Sequence, residues 1–363
     1  MDVKYSKELQ QVIKNKIEQS NGKAISFKDY MDMCLYHEQL GYYRRNKIKI
    51  GKTGDFYTSA NIGDVMGKVL ANMFISYSHT NNTKPLHIIE WGSGNGKLAY
   101  DTLSAITRLG SLNIVYHAIE SSPYHRRLQR DQCKDFSNFH VYDESEFLEQ
   151  HPAIEGVVIC NELLDAFPVH VIKKKQGENV EVYVAWEDEA GFVEVYRPIQ
   201  NEILRSKIEH IHLMENQKIE INLAAETWIE NIGKIMKSGS LIIIDYGDLQ
   251  EQIINEDRMQ GTLLCYKDHI ALDEPYQHVG DQDMTSHVNF SQCMDAAKRA
   301  GFIDQHYMTQ KEFLVENGVL QLLQDHDARD PFSEQSKQNR AIRQLLWSDQ
   351  MSELFKVLIT HKK

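Results

Sequence analysis

Residues 88–98 read Ile88-Ile89-Glu90-Trp91-Gly92-Ser93-Gly94-Asn95-Gly96-Lys97-Leu98. An apolar run ends in an acid, three glycines alternate, and a helical stripe follows at Leu98, Leu103, Ile106 and Leu109. This is the pattern of a strand that turns into a helix through a loop whose bare backbone lies against a ligand. Glycine lacks the Cβ that would block that approach and accepts positive φ. The stretch therefore predicts an α/β fold in which a mostly parallel sheet carries its ligand at the carboxyl ends of the strands.

The spacing sorts the candidate ligands. A nucleoside-triphosphate loop needs four residues between its glycines and a hydroxyl after the lysine, but Gly92 and Gly96 enclose three and Leu98 takes the hydroxyl position. A dinucleotide fingerprint needs its third glycine one residue later than Gly96. The pattern acid-x-Gly-x-Gly-x-Gly suits a ligand with a charged amino-acid end and a ribose, and it resembles the loop of Rossmann-like S-adenosylmethionine (SAM) methyltransferases. A glycine turn without ligand is the competing explanation.

The next two strands extend the pattern. Asn113 to Ile119 is strand-like and ends in Glu120, at the offset where an acid accepts hydrogen bonds from ribose hydroxyls. Phe139 to Tyr142 ends in Asp143, a candidate neighbour of the adenine. A fourth strand, Gly156 to Cys160, stops at Asn161-Glu162-Leu163-Leu164-Asp165-Ala166-Phe167-Pro168. Its polar residues should open into the same crevice as the glycines, and Glu162 and Asp165 share a face if the segment is one helical turn. For each acid the alternative is a solvated strand end.

Several blocks in one order resemble the MidA-like methyltransferases, relatives of the mitochondrial protein arginine methyltransferases that act as complex I assembly factors. They are Gly41-Tyr42-Tyr43, Gly54-Asp55-Phe56-Tyr57-Thr58-Ser59, the glycine loop, Asn161-Glu162-x-x-Asp165-Ala166-x-Pro168, Asp245-Tyr246-Gly247, Gly261-Thr262-Leu263 and Asp283-x-Thr285-x-His287-Val288-x-Phe290. The chain departs from the family at Ala60 and Asn61, where Pro and Glu are usual, at Ser93 and Asn95, usually Pro and Arg, and at Asn289, usually Asp. The resemblance implies a class I methyltransferase with a seven-stranded sheet and helices on both faces. It implies SAM as cofactor and an arginine-bearing protein as acceptor. Cofactor binding is expected from Glu90, Gly92, Gly94, Gly96, Glu120, Asp143, Gly54, Asp55 and Thr58. The chemistry is expected from Glu162, Asp165 and Asn161, with His287 as a proton acceptor or a structural histidine. A small-molecule methyltransferase and a non-catalytic SAM-binding scaffold are the alternatives.

Composition sets the outer bounds. The chain of 363 residues is 42% hydrophobic and 25% charged, which is globular. Its net charge of −12 argues against broad binding to nucleic acid or anionic membrane and suits a basic partner. Five scattered cysteines without C-x-x-C, together with charged and amphipathic residues 1–20, point to a reducing, cytoplasmic setting with no metal. The expected organisation is an N-terminal helical and lid region (1–80) and a SAM-binding half (81–168), then an inserted β/α unit forming a substrate wall or homodimer surface (169–239). The remaining sheet (240–310) and C-terminal helices (311–363) follow. Gly261 to Lys267 and Phe302 to Thr309 are expected to form the closing antiparallel pair.

Overall fold

A computed structural model describes residues 2–45, 62–81, 85–110, 113–325, 330–347 and 352–363. Its central sheet is built from the apolar runs of the sequence: β1 Leu86–Trp91, β2 Ile114–Ile119, β3 Phe139–Tyr142, β4 Ile154–Asn161, β5 Met236–Asp248, β6 Ile303–Thr309 and β7 Phe355–Lys362. The spatial order is β6-β7-β5-β4-β1-β2-β3, and a two-residue strand, Val288–Asn289, pairs with the end of β5. Strands β1 to β5 run parallel, and β7 lies antiparallel between β5 and β6. The centre is buried on both faces, as parallel strands require: Leu241, Ile242, Ile243 and Ile244 are all fully buried. Helices Val65–Asn81, Lys97–Leu109 and Glu334–Trp347 cover one face, and Leu223–Ile235 and Phe290–Arg299 cover the other.

The closing pair differs from the sequence expectation. The partner of β6 is β7, from the stretch expected to be helical, whereas Leu264–Lys267 joins a separate three-stranded sheet with Ile270–Leu272 and Asp283–Thr285. A short apolar run such as Phe355 to Thr360 has no period that separates a buried strand from a buried helix. Gly261 and Thr262 are drawn elsewhere. The Thr262 N–H and hydroxyl both donate to Glu220 Oε2, at 2.9 Å each.

A second body stands over the carboxyl ends of the sheet. Its five-stranded sheet is ordered Ala24–Ser26, Glu178–Glu187, His170–Lys175, Lys218–Ile221, with Gly191–Pro198 on the other side of Glu178–Glu187. Helices Asp2–Gln19 and Phe27–Tyr36 pack on it, the latter capped by Ser26, whose hydroxyl accepts from the Asp29 N–H. Leu9, Ile13, Tyr30 and Met31 share one core with Val171, Val182, Cys265 and Met284. The N-terminal segment, the insertion and residues 262–285 are therefore packed as one unit.

The first sheet also carries a stack of imidazoles. His117 lies 4.8 Å from His151, 5.2 Å from His87 and 5.8 Å from His140, measured between ring centroids. Burial, then repulsion from His151, His87 and His140, pushes the His117 imidazole down to about 3; His87 and His151 are also lowered, chiefly by burial. A histidine depressed in the folded state gives stability above its unfolded pKa of about 6.5, lost as pH falls toward the folded value. Thermal melts should therefore drop steadily below about pH 6.5, and His117→Leu should flatten that slope. A wild-type melting temperature unchanged down to about pH 5 would refute this account.

Candidate functional site

The glycine loop adopts the conformation its sequence demands. Gly92, Gly94 and Gly96 have φ of 72°, 53° and 83°, and Gly96 caps the helix Lys97–Leu109 from a left-handed conformation. A Cβ on Gly92 would lie 2.8 Å from Leu163 Cδ1, and one on Gly96 would lie 2.7 Å from Gln129 Cγ. Only glycine lets the loop sit that close to the β4 turn and the helix Pro123–Gln132. The two unusual residues of the loop serve it locally. Ser93 Oγ accepts from Gln129 Nε2 at 2.8 Å, and Asn95 Oδ1 accepts from the Lys97 N–H at 3.1 Å.

Glu120 is fixed from two sides. Its Oε2 accepts from the Gly94 N–H at 2.9 Å and its Oε1 from the Ser122 N–H at 2.7 Å, which joins the β2 acid to the glycine loop. Arg126 and Arg44 both donate to the carbonyl of Ser121, at 3.0 and 2.7 Å, bracing the turn that carries Glu120. Glu90 is buried and accepts from the Tyr116 hydroxyl at 2.9 Å; burial pushes its carboxyl up to about 8. Asp143 caps the helix Glu144–Gln150, accepting from the Glu146 N–H at 2.9 Å.

The turn after β4 is not helical. Glu162 has φ of 53°, in the left-handed region that a non-glycine residue enters only under constraint, and its N–H donates to the Ile244 carbonyl at 2.9 Å. The next three N–H groups, of Leu163, Leu164 and Asp165, converge on Asp245 Oδ2 at 3.2, 2.9 and 3.3 Å. Asp245 Oδ1 accepts from the Tyr246 N–H. The Asp245 carboxyl is fully buried, and burial with the nearby Glu162 pushes it up to about 7 despite those donors. In the sequence Asp245 ends the strand-like run Ser240 to Asp245 and opens the block Asp245-Tyr246-Gly247.

Asn161 Nδ2 donates to Glu162 Oε1 at 3.2 Å, while Asn161 Oδ1 is buried without a hydrogen-bond partner among the described residues. Asp165 is buried, and desolvation, Asp245 and Asp283 together raise its carboxyl well above the usual carboxylate range. The second body meets this turn with aromatic side chains. Tyr36 donates to the Ala166 carbonyl at 3.0 Å, and Tyr43 donates to Asp283 Oδ1 at 2.7 Å. The two rings stack with centroids 5.4 Å apart. Neither Tyr36 nor Arg44 was singled out from sequence, because each acts on an element more than 70 residues away.

His287 has a different placement from the proton acceptor considered above. Its Nδ1 faces Arg258 Nη1 at 3.2 Å, and its backbone N–H donates to Thr262 Oγ1 at 3.0 Å. Burial and the Arg258 charge push the imidazole down to about 4, so near neutral pH it is an uncharged, weak base. Asn289 caps the helix Phe290–Arg299. Asn and Asp serve that position about equally, which explains the departure there. Gly54, Asp55, Thr58, Ala60 and Asn61 lie outside the described residues. Among the described residues, no group of three or more His, Cys, Asp or Glu side chains is arranged to hold a metal, and no helix is long and apolar enough to cross a membrane.

Comparisons with known proteins bear on this geometry. A family profile describing S-adenosyl-L-methionine-dependent methyltransferases matches residues 67–309. The mitochondrial protein arginine methyltransferase NDUFAF7 homolog of Drosophila melanogaster is 28% identical over 316 residues, 76% of this chain and 67% of its own. The Danio rerio protein arginine methyltransferase NDUFAF7 is 26% identical over 327 residues, 81% of this chain and 73% of its own. A solved Burkholderia thailandensis structure bound to S-adenosyl-homocysteine superimposes with a TM-score of 0.91 at 28% identity, covering 99% of this chain and 93% of its own. The cytoplasmic location expected from composition is corrected by these relatives, since both animal proteins are mitochondrial.

Replacing Asp245 by Ala would orphan the three N–H groups of the β4 turn. The expected cost is about 3 kcal/mol or more in urea denaturation. A loss within experimental error would show that the turn does not depend on this carboxylate.

Proposed function

Since the chain belongs to the S-adenosyl-L-methionine-dependent methyltransferase family, we propose that its acceptor is an arginine side chain of a protein. The names of the fly and fish relatives support this reading. The observation that carries it is the crowding of buried acids: Asp165 and Asp283 lie against Tyr36 and Tyr43, Asp245 adjoins Asp165, and Glu162 adjoins Asp245. Like charges that raise one another's pKa are relieved by an entering cation, so the cluster suits a guanidinium better than a neutral acceptor.

The cofactor fits the other side of the crevice. The three left-handed glycines leave backbone bare where the amino-acid end would lie, and Glu120 is oriented by the Gly94 and Ser122 N–H groups. Glu120 follows the carboxyl end of β2 beside the glycine loop, the place from which an acid accepts hydrogen bonds from ribose hydroxyls. Glu90 and Asp143 stand at the ends of β1 and β3, on either side of Glu120. When bound, SAM supplies a methyl group already activated on a sulfonium.

The residues of the chain then have to position the acceptor and manage one proton. A guanidinium stays protonated in water and is a poor nucleophile. Glu162, held by its constrained backbone, forms paired hydrogen bonds to it that orient one nitrogen and concentrate electron density there. Asp165 assists, Asn161 fixes Glu162, and the proton lost from the alkylated nitrogen passes to a Glu162 Oε. Tyr36 and Tyr43 wall the cluster and exclude water. His287 is assigned to holding the Arg258–Thr262 contacts. The body built from residues 2–45, 169–221 and 262–285 forms the acceptor wall.

Calorimetry with SAM should give binding that weakens about 30-fold or more in Glu120→Ala, through loss of charge-assisted hydrogen bonds. Glu162→Gln should bind SAM within about twofold of wild type and yet lose about 100-fold or more of methyl transfer to an arginine-containing peptide. A Gln variant that transfers normally would rule out the clamp. Transfer to small molecules alone would redirect the acceptor assignment and leave the cofactor site intact.

A further inference from the structure

At the end of the sheet opposite the glycine loop, the first residues of β1, β4 and β5 open into a cavity of about 740 Å³. That volume lies within the range of small-molecule sites. His87, His117 and His151 line it together with Phe147 on one face of the sheet, and His361 lines it from the other face, stacked on Tyr77. His361 is held by Ser240, whose Oγ lies 2.9 Å from its Nδ1. The strand starts that form the floor are irregular. Gly156 and Gly239 have φ of 147° and 125°, and the register of β5 shifts between Met236 and Ser238. A Cβ on Gly239 would lie 1.8 Å from the Gly156 carbonyl oxygen, so the floor is made of bare backbone. Such irregularities re-aim strands and gather beside functional sites.

The imidazoles are incompletely satisfied. His87 Nδ1 and His117 Nε2 lie 2.9 Å apart and share one proton, while His117 Nδ1 is buried with no hydrogen-bond partner among the described residues. His140 and Tyr142 back His117 on the far side. The other charged groups at the cavity are Glu155, Asp304, Lys362 and Lys363. Of these, Lys362 Nζ is turned away to the carbonyls of Gly233 and Ala300, and Glu155 is exposed. A wall of several imidazoles without metal geometry is suited to an anion, because protonation gives each ring a second N–H and a positive charge.

We propose that this cavity binds a small oxyanion-bearing molecule, its carboxylate or phosphate group held by His87 with uptake of a proton. On binding, His87 carries hydrogen on both nitrogens: Nδ1–H donates to His117 Nε2, and Nε2–H meets the anion. The charge is then paired instead of adding to the repulsion within the stack. His151 closes the site beside His117, and Phe147 packs on the apolar part of the ligand.

Sulfate is a suitable probe, because it keeps one charge state across this pH range, so any pH dependence comes from the protein. Titration followed by the histidine ring resonances should show saturable shifts at His87, His117 and His151 at about pH 6. Affinity should be about tenfold or more weaker at about pH 8, where the rings are neutral. His87→Gln should abolish the shifts at the other two rings while leaving SAM binding unchanged. No saturable shift at the lower pH, equal affinity at both, or sulfate binding retained in His87→Gln would each overturn the proposal. The pH contrast in the wild-type protein decides the matter even if the variant does not fold.

Discussion

The convergence of three backbone N–H groups on one buried oxygen of Asp245 holds the candidate chemistry in place. Leu163, Leu164 and Asp165 would otherwise be a turn leaving a core strand with its donors buried and unmade, at a cost that no nearby helix offsets. With Asp245 in place, the turn is locked to the end of β5, Glu162 is held in a left-handed backbone, and its carboxylate stays beside the crevice. Leu163 then fills the space that a side chain on Gly92 would need, so the same lock sets how close the β4 turn lies to the glycine loop. A single carboxylate thus couples both halves of the site.

The second constraint is the closure of the aromatic body over that turn. Tyr36 reaches Ala166, Tyr43 reaches Asp283, Arg44 reaches Ser121, and Arg45 forms a buried ion pair with Asp281 at 2.8 Å. Four side chains within ten residues touch the turn after β4, the loop bearing Glu120, and the three-stranded sheet with its approach. Burial of this pair makes each partner costly to remove alone, which favours one docked arrangement over several loose ones.

What was legible in the sequence was local. The glycine loop could be read because an apolar run, three glycines and a helical stripe fall within one short stretch. Glu120 and the β4 acids could be read because each follows a strand-like run at its carboxyl end. Asp245 stayed hidden because its partners lie about 80 residues earlier, and nothing in Asp245-Tyr246-Gly247 reveals three donors. The joining of the N-terminal helices to the insertion was equally hidden, since Leu9 and Val182 meet only in space. The final strand was mistaken because burial on both faces erases the alternation that marks a strand. Ser93, Asn95 and Asn289 looked like losses against the family pattern, yet each forms a hydrogen bond that holds its own loop or cap.

The position of β7 bears on how the chain assembles. Phe355–Lys362 is inserted between β5 and β6, two strands made well before it during synthesis. Until that segment emerges from the ribosome, Leu241 to Ile244 present an unpaired apolar edge, the kind of surface that recruits chaperones or pairs with other nascent chains. Maturation is therefore expected to be all-or-none and late, with the longest-lived hazard at the centre of the sheet instead of at its rim.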